Sequence, residues 1–233
     1  MKTIAAIVGA LSLGAVGAYA AQAGTSSSRS ACAKYDPHVP SASHFSKVID
    51  NPYFPLPVGR TFVYRGVENG KKELDRMRVT SRTKQITGIT ATVVSDNVYE
   101  PPPQLLEKTF DYYAQDDTGN VWYLGENTRE FLRGGKVDTS GSWFTGRHGG
   151  KPGLIMEAHP RVPDSYRQEC LSGEAEDLAW VVDRGGRVVR TLEFSPLEPK
   201  VVERKVYRRR VGVVSEHQLS GGHEAVTLVR ITG

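Results

Sequence analysis

The sequence predicts an all-β protein: an antiparallel meander forming a curved sheet, half-barrel or barrel, with a Pro-rich N-terminal extension. Three observations predict it. Apolar, aromatic and β-branched residues recur with period two from about residue 60 onward. Gly, Asn and Asp punctuate these runs at hairpin intervals. No long run shows the 3.6-residue period of an amphipathic helix.

The N-terminus opens with Lys2, then runs from Ile4 to Ala20 without a charge. A basic start, an apolar core and the small residues Ala18 and Ala20 form the three-part pattern of a cleavable signal peptide over residues 1–20. The stretch is too rich in Ala and Gly for a spanning helix, and no later segment is long and apolar enough to be one. The expectation is a secreted or periplasmic, cell-envelope protein with no transmembrane span after cleavage. Residues 21–35, with Thr25 to Ser30 Ser-rich, read as a flexible tether, and residues 36–233 as one β-rich domain.

Pro37, Pro40, Pro52, Pro55 and Pro57 exclude helix and central strand from the next segment. Its apolar residues, Phe45, Val48, Ile49, Tyr53, Phe54 and Leu56, predict packing along the outside of the domain, with a helical turn near Ser43–Val48. Strands follow over Thr61–Arg65 and Leu74–Ser81, joined at Asn69-Gly70, and over Ile89–Tyr99. Leu105–Leu124 reads as a hairpin about the Asp116–Asn120 turn. Residues 134–153 are Gly-rich and irregular around Trp143 and Phe144. Six further strand candidates run from Tyr166 to Ile231, with a helical turn over Gly173–Leu178.

The full chain has 30 basic and 26 acidic residues, and loss of Lys2 with the signal leaves a net of +3. That excess is too small for a nucleic-acid surface. The clusters Arg204-Lys205 and Arg208-Arg209-Arg210 read as solvated strand and turn residues. Two cysteines, Cys32 and Cys170, in an oxidising compartment predict one disulfide.

Asp50-Asn51-Pro52-Tyr53-Phe54-Pro55-Leu56, Gly119-Asn120-Val121-Trp122-Tyr123-Leu124-Gly125-Glu126, Tyr166-Arg167-Gln168-Glu169, Gly173-Glu174-Ala175-Glu176-Asp177 and Pro196-Leu197-Glu198-Pro199 together resemble a family of uncharacterised exported bacterial β-rich proteins. The resemblance implies no activity and no catalytic residues.

Among chemistry-bearing groups, Glu174, Glu176 and Asp177, with Glu169 nearby, are the metal candidates, because clustered carboxylates suit a hard cation such as calcium. The same four residues would serve a carboxylate-based hydrolase or divalent-metal enzyme. The six histidines form no zinc pattern, and no Gly-x-Ser-x-Gly elbow occurs. Tyr112, Trp122 and Trp143 are the candidate ligand-binding aromatics. The leading expectation is non-enzymatic binding of a small apolar or sugar-like ligand in a curved β-sheet cavity. A cell-surface interaction protein is the further alternative.

Overall fold

The computed structural model describes residues 31–233; the expected signal peptide and most of the expected tether lie outside the described residues. A single helical turn, Ala31–Lys34, comes first, and a 3-10 turn, Ala42–His44, follows. The strands in chain order are β1 (Phe45–Ser46), β2 (Thr61–Glu68), β3 (Lys71–Ile86), β4 (Ile89–Glu100), β5 (Gln104–Asp116) and β6 (Val121–Phe131). The short β7 (Val137–Asp138), β8 (Trp143–Phe144), β9 (Gly153–Met156) and β10 (Ser165–Arg167) cross the Gly-rich region. The last five are β11 (Leu178–Gly185), β12 (Val188–Phe194), β13 (Val202–Arg208), β14 (Gly212–Ser220) and β15 (Glu224–Thr232).

The ladder order is β10-β11-β12-β13-β14-β15-β2-β3-β4-β5-β6-β7, every pairing antiparallel. It is a meander with one long-range closure, β15 onto β2. The sheet curves but its ladders do not close into a barrel. Irregular chain fills the gap: β8 and β9 pair with β6, and Lys151 bridges Cys170. Gly125 permits this approach, because its φ is 139° and a Cβ there would stand 2.4 Å from the Trp143 carbonyl oxygen.

Local chemistry explains the turns. Asn69 and Gly70 both have positive φ, as a two-residue hairpin with the sheet's right-handed twist requires. Thr87 and Gly88 repeat this between β3 and β4. Two sequence expectations change. No helix forms over Gly173–Leu178; Leu171 instead bridges Ala175 in a tight loop. The Pro-rich arm does not lie wholly outside: Ile49, Tyr53, Phe54 and Leu56 are each at most 4% exposed and join the main core. Proline bars regular helix and strand pairing but leaves the side chains of neighbouring residues free to turn inward.

The arm is latched by Asn51, itself 1% exposed. Its side-chain amide donates to the carbonyls of Gly119 and Glu157, and its side-chain oxygen accepts from the backbone N–H groups of Tyr53 and Phe54. The Cys32–Cys170 disulfide forms, with Cα atoms 5.5 Å apart, and ties the start of the described chain to the gap region. Asn51→Ala removes the side-chain partner of two carbonyls and of the Tyr53 N–H in a dry site, while the Phe54 N–H keeps the Asn51 backbone carbonyl. It is expected to cost about 2–4 kcal/mol, read by denaturant unfolding; an unchanged midpoint would show that the arm is not held by this residue.

Candidate functional site

Side-chain direction alternates along each strand, and here the alternation sorts charge. In β3, Glu73, Asp75, Met77 and Val79 are buried, whereas Arg76 and Arg78 are exposed. In β13, Glu203, Lys205 and Tyr207 are buried, whereas Arg204 and Arg208 are exposed. All 26 acidic residues fall in the described chain, and 14 of them are buried. Of the 28 basic residues left after Lys2 and Arg29, only Arg167 and Lys205 are buried. The surface therefore carries 12 acids against 26 bases, although the whole chain is nearly balanced.

The interior is layered. At one end the arm's Phe54 and Leu56 pack with Phe62, Val79, Val121 and Met156 as an apolar floor. Above it stand rings: Phe54 meets Tyr113 edge-on, Tyr113 stacks on Tyr123 at 4.7 Å, and Tyr123 meets Trp143 edge-on at 5.4 Å. Then come acids, in rows set by register. Asp111 faces Glu126, Thr109 faces Thr128, and Glu107 faces Glu130, with Asp96 beside Thr109 and Asp75 one strand further. On the opposite wall Glu193 faces Glu203, and Lys205 lies between Thr191 and Glu216. The acid-rich end opens in a cavity of about 380 Å³ lined by Glu68, Glu73, Glu100 and Glu130 together with Lys71 and Arg133, and Lys71 pairs with Glu100 at 3.2 Å.

One acid is fully served. Glu193 accepts from Tyr207, Thr191 and the Lys205 ammonium at 2.9, 2.8 and 2.9 Å. Burial alone would lower the Lys205 pKa, but Glu193, Glu216 and Glu203 hold it well above the usual lysine value. Sequence reasoning placed Lys205 in water; it is instead the interior's central cation, because it shares parity with Glu203 and Tyr207.

The other acids have far fewer donors. Among the described residues Asp75 meets only Asp96, Asp96 meets only Asp75 and the Asn97 N–H, and no donor reaches Oδ2 of Asp111. Asp75 and Asp96 lie within reach of one another, so one shared proton ties them; burial and Asp96 push Asp75 well up. The Tyr123 hydroxyl sits 2.8 Å from Asp111 and 3.0 Å from Glu126. It has one proton, so one of these two carboxyls must carry its own. Burial raises Asp111 and Glu126 well above the carboxylate range, with Asp96 and Asp111 adding to it respectively. Burial also raises Glu107 to about 8 and, with Glu203 beside it, Glu224 to about 9. Burial and Glu216 take Glu203 to about 10. Burial takes Glu73 to about 7, helped by Glu68, and Glu216 to about 7 against the pull of Lys205.

The structure separates the residues singled out from sequence. Glu169 and Asp177 join the interior acids near Glu126, with Trp143 beside Glu169. Glu174 is exposed, and Glu176 accepts from the Gly173 N–H inside its own loop. Among the described residues no three His, Cys, Asp or Glu side chains stand ready to hold a metal ion. Trp143 lies in the inner core. Tyr112 and Trp122 face the other way, in a second apolar cluster on the outer face under Val39 and Phe45. The Trp122 indole donates to Asp116 at 2.8 Å. The three aromatics thus do not line one cavity. The residues that sequence reasoning missed are Asp75, Asp96, Glu107, Asp111, Glu126, Glu203, Lys205, Glu216 and Glu224. Their signal was acid–base alternation at period two, as in Glu73-Leu74-Asp75-Arg76.

No family profile matches this chain, and no curated relative does. Among solved structures, the chain is similar to one described as a lipoprotein of Parabacteroides distasonis. Identity is 10%, the TM-score is 0.40, and the match covers 77% of this chain and 98% of that one. A likeness that weak carries no argument about fold or function. Among the described residues no helix is long and apolar enough to cross a membrane.

The raised acids fix how stability varies with pH. Each is neutral in the fold at a pH where the unfolded chain has lost the proton. Their contribution is complete below the unfolded carboxyl pKa, about 4.3, and is lost as pH rises through the folded values. That window runs from about 7 for Glu73 and Glu216 through about 8 and 9 for Glu107 and Glu224 to about 10 for Glu203. The melting temperature should fall steadily from about pH 5 to about pH 9, and Asp96→Asn should flatten the fall. Melting points that climb over that interval would show that the interior acids are ionised and paired.

Proposed function

We propose that this chain is an exported binding protein that takes a small organic cation, an amine with one or more ammonium groups, into the acid-lined interior of its curved sheet. The observation that carries this is the imbalance inside. Twelve buried carboxyl groups from eight strands and the 169–177 loop face inward against one cation, and Asp75 and Asp96, at 5% and 1% exposure, meet only each other and the Asn97 N–H among the described residues. An ammonium supplies the donors that these oxygens lack. The rings of Tyr64, Tyr113, Tyr123 and Trp143 border the acids, and aromatic faces attract such cations. The acid-lined cavity at the open end is the way in.

The wall chemistry favours a cation over the apolar or sugar-like ligand expected from sequence. An apolar ligand would leave the carboxyls without donors, and a neutral sugar would supply donors but no charge. Calcium is the competing cation. The disulfide fits an oxidising, exported setting.

Binding must displace protons, because the empty interior is neutralised by them. Calorimetry with spermidine in two buffers of different ionisation enthalpy should show net proton release near pH 7.5, with affinity rising from about pH 6 to about pH 8.5. Asp96→Asn should weaken binding about tenfold or more. A response to calcium in place of spermidine would convert the site to a divalent-cation site. No heat with spermidine, alongside a melting-point rise with a neutral sugar, would overturn the cationic reading.

A further inference from the structure

A second cavity, of about 430 Å³, lies outside the sheet's interior, between the Pro-rich arm and β3. Its size is that of a small-molecule site. Pro55, Pro57, Val48 and Val58 give it apolar walls, and Val48 and Val58 are 60% and 62% exposed among the described residues. Three cations stand around it: Lys47, Arg82 and Arg210. Among the described residues none of the three is in an ion pair. The one acid in the lining, Asp50, already accepts from the Gln115 side chain at 2.7 Å.

Two backbone departures place Arg82 and Arg210 at the cleft's rim, where the Arg82 guanidinium rests over the Phe110 ring at 5.2 Å. The β3–β4 register slips between Val79 and Thr83, and Arg82 sits in that bulge. Bulges of this kind redirect a side chain. Arg210, at the tip of the β13–β14 hairpin, has φ 66°, a left-handed conformation that glycine takes without cost. Its N–H donates to the Pro52 carbonyl at 2.6 Å, which fixes the tip against the arm. A glycine would suit the turn better. The chain keeps a guanidinium there, beside an open apolar wall.

We infer that this cleft binds an anionic amphiphile: a carboxylate head held by Arg210, Arg82 and Lys47, with an aliphatic tail along the proline and valine wall. Apolar walls bury the tail, and guanidinium forks match a carboxylate. The site shares no lining residue with the acid-lined cavity at the sheet's open end, so the two readings stand or fall independently.

The test is displacement of 1-anilinonaphthalene-8-sulfonate from the processed, disulfide-bonded protein by laurate, dodecanol and dodecylammonium. Laurate should displace the probe, with dodecanol at least about tenfold weaker and dodecylammonium weaker again. Arg210→Gly should leave the melting temperature unchanged or higher, since glycine fits the turn, yet reduce laurate affinity about tenfold without changing dodecanol. Val58→Trp, at an exposed wall position, should abolish displacement by both. The proposal is overturned if laurate binds no better than dodecanol, if Arg210→Gly retains full laurate affinity, or if Val58→Trp has no effect.

Discussion

Twelve carboxyl groups inside one curved sheet are the constraint on which this structure turns. Burying an ionised carboxylate without donors costs several kcal/mol even after relaxation, so the interior must be neutral or paired. It solves this in two ways. Glu193 is paired, because Lys205, Tyr207 and Thr191 all donate to it. Asp75 and Asp96, and one of Asp111 and Glu126, keep a proton instead. The first solution is rigid and complete. The second leaves oxygens that a cationic guest can serve, and that difference makes the interior a site and not merely a polar core.

The rest of the fold supports this arrangement. The arm's Phe54 and Leu56 close one end with apolar contact, so the acids open to water only at the other. Asn51 and the disulfide hold the arm and the gap region against the sheet. The second apolar cluster on the outside of β5 and β6 covers Tyr112 and Trp122 and stiffens the wall that carries Asp111 and Glu126 inside. Sorting acids inward also leaves a strongly basic exterior, which lends the chain an attraction to anionic surroundings that its net charge conceals.

Much of the fold was legible in the sequence because hairpins are local. Asn69-Gly70 and Asp116–Asn120 each carry their own turn chemistry, and the β-branched run Ile89–Tyr99 is a strand in any context. The site was less legible because it depends on what lies opposite. Period two says that Tyr112 and Tyr113 point apart; it does not say which face is concave, and Tyr113 proved to be the inner one. Charge was the larger trap. Glu203, Lys205 and Arg204 all look like solvated residues until β12 and β14 are placed beside β13, where two of the three turn inward. The 169–177 acids were found because they are adjacent in sequence, yet only Glu169 and Asp177 reach the interior, since the loop turns Glu174 out.

The most direct test is infrared spectroscopy of carboxyl groups in the native protein at neutral pH. A sequestered acid that keeps its proton shows a C=O band distinct from that of an ionised carboxylate, and exposed acids show none at this pH. A protonated-carboxyl band that persists at pH 7, and diminishes when spermidine is added, is the predicted result. A spectrum at pH 7 with ionised carboxylates alone would contradict the neutral interior and, with it, the site built there.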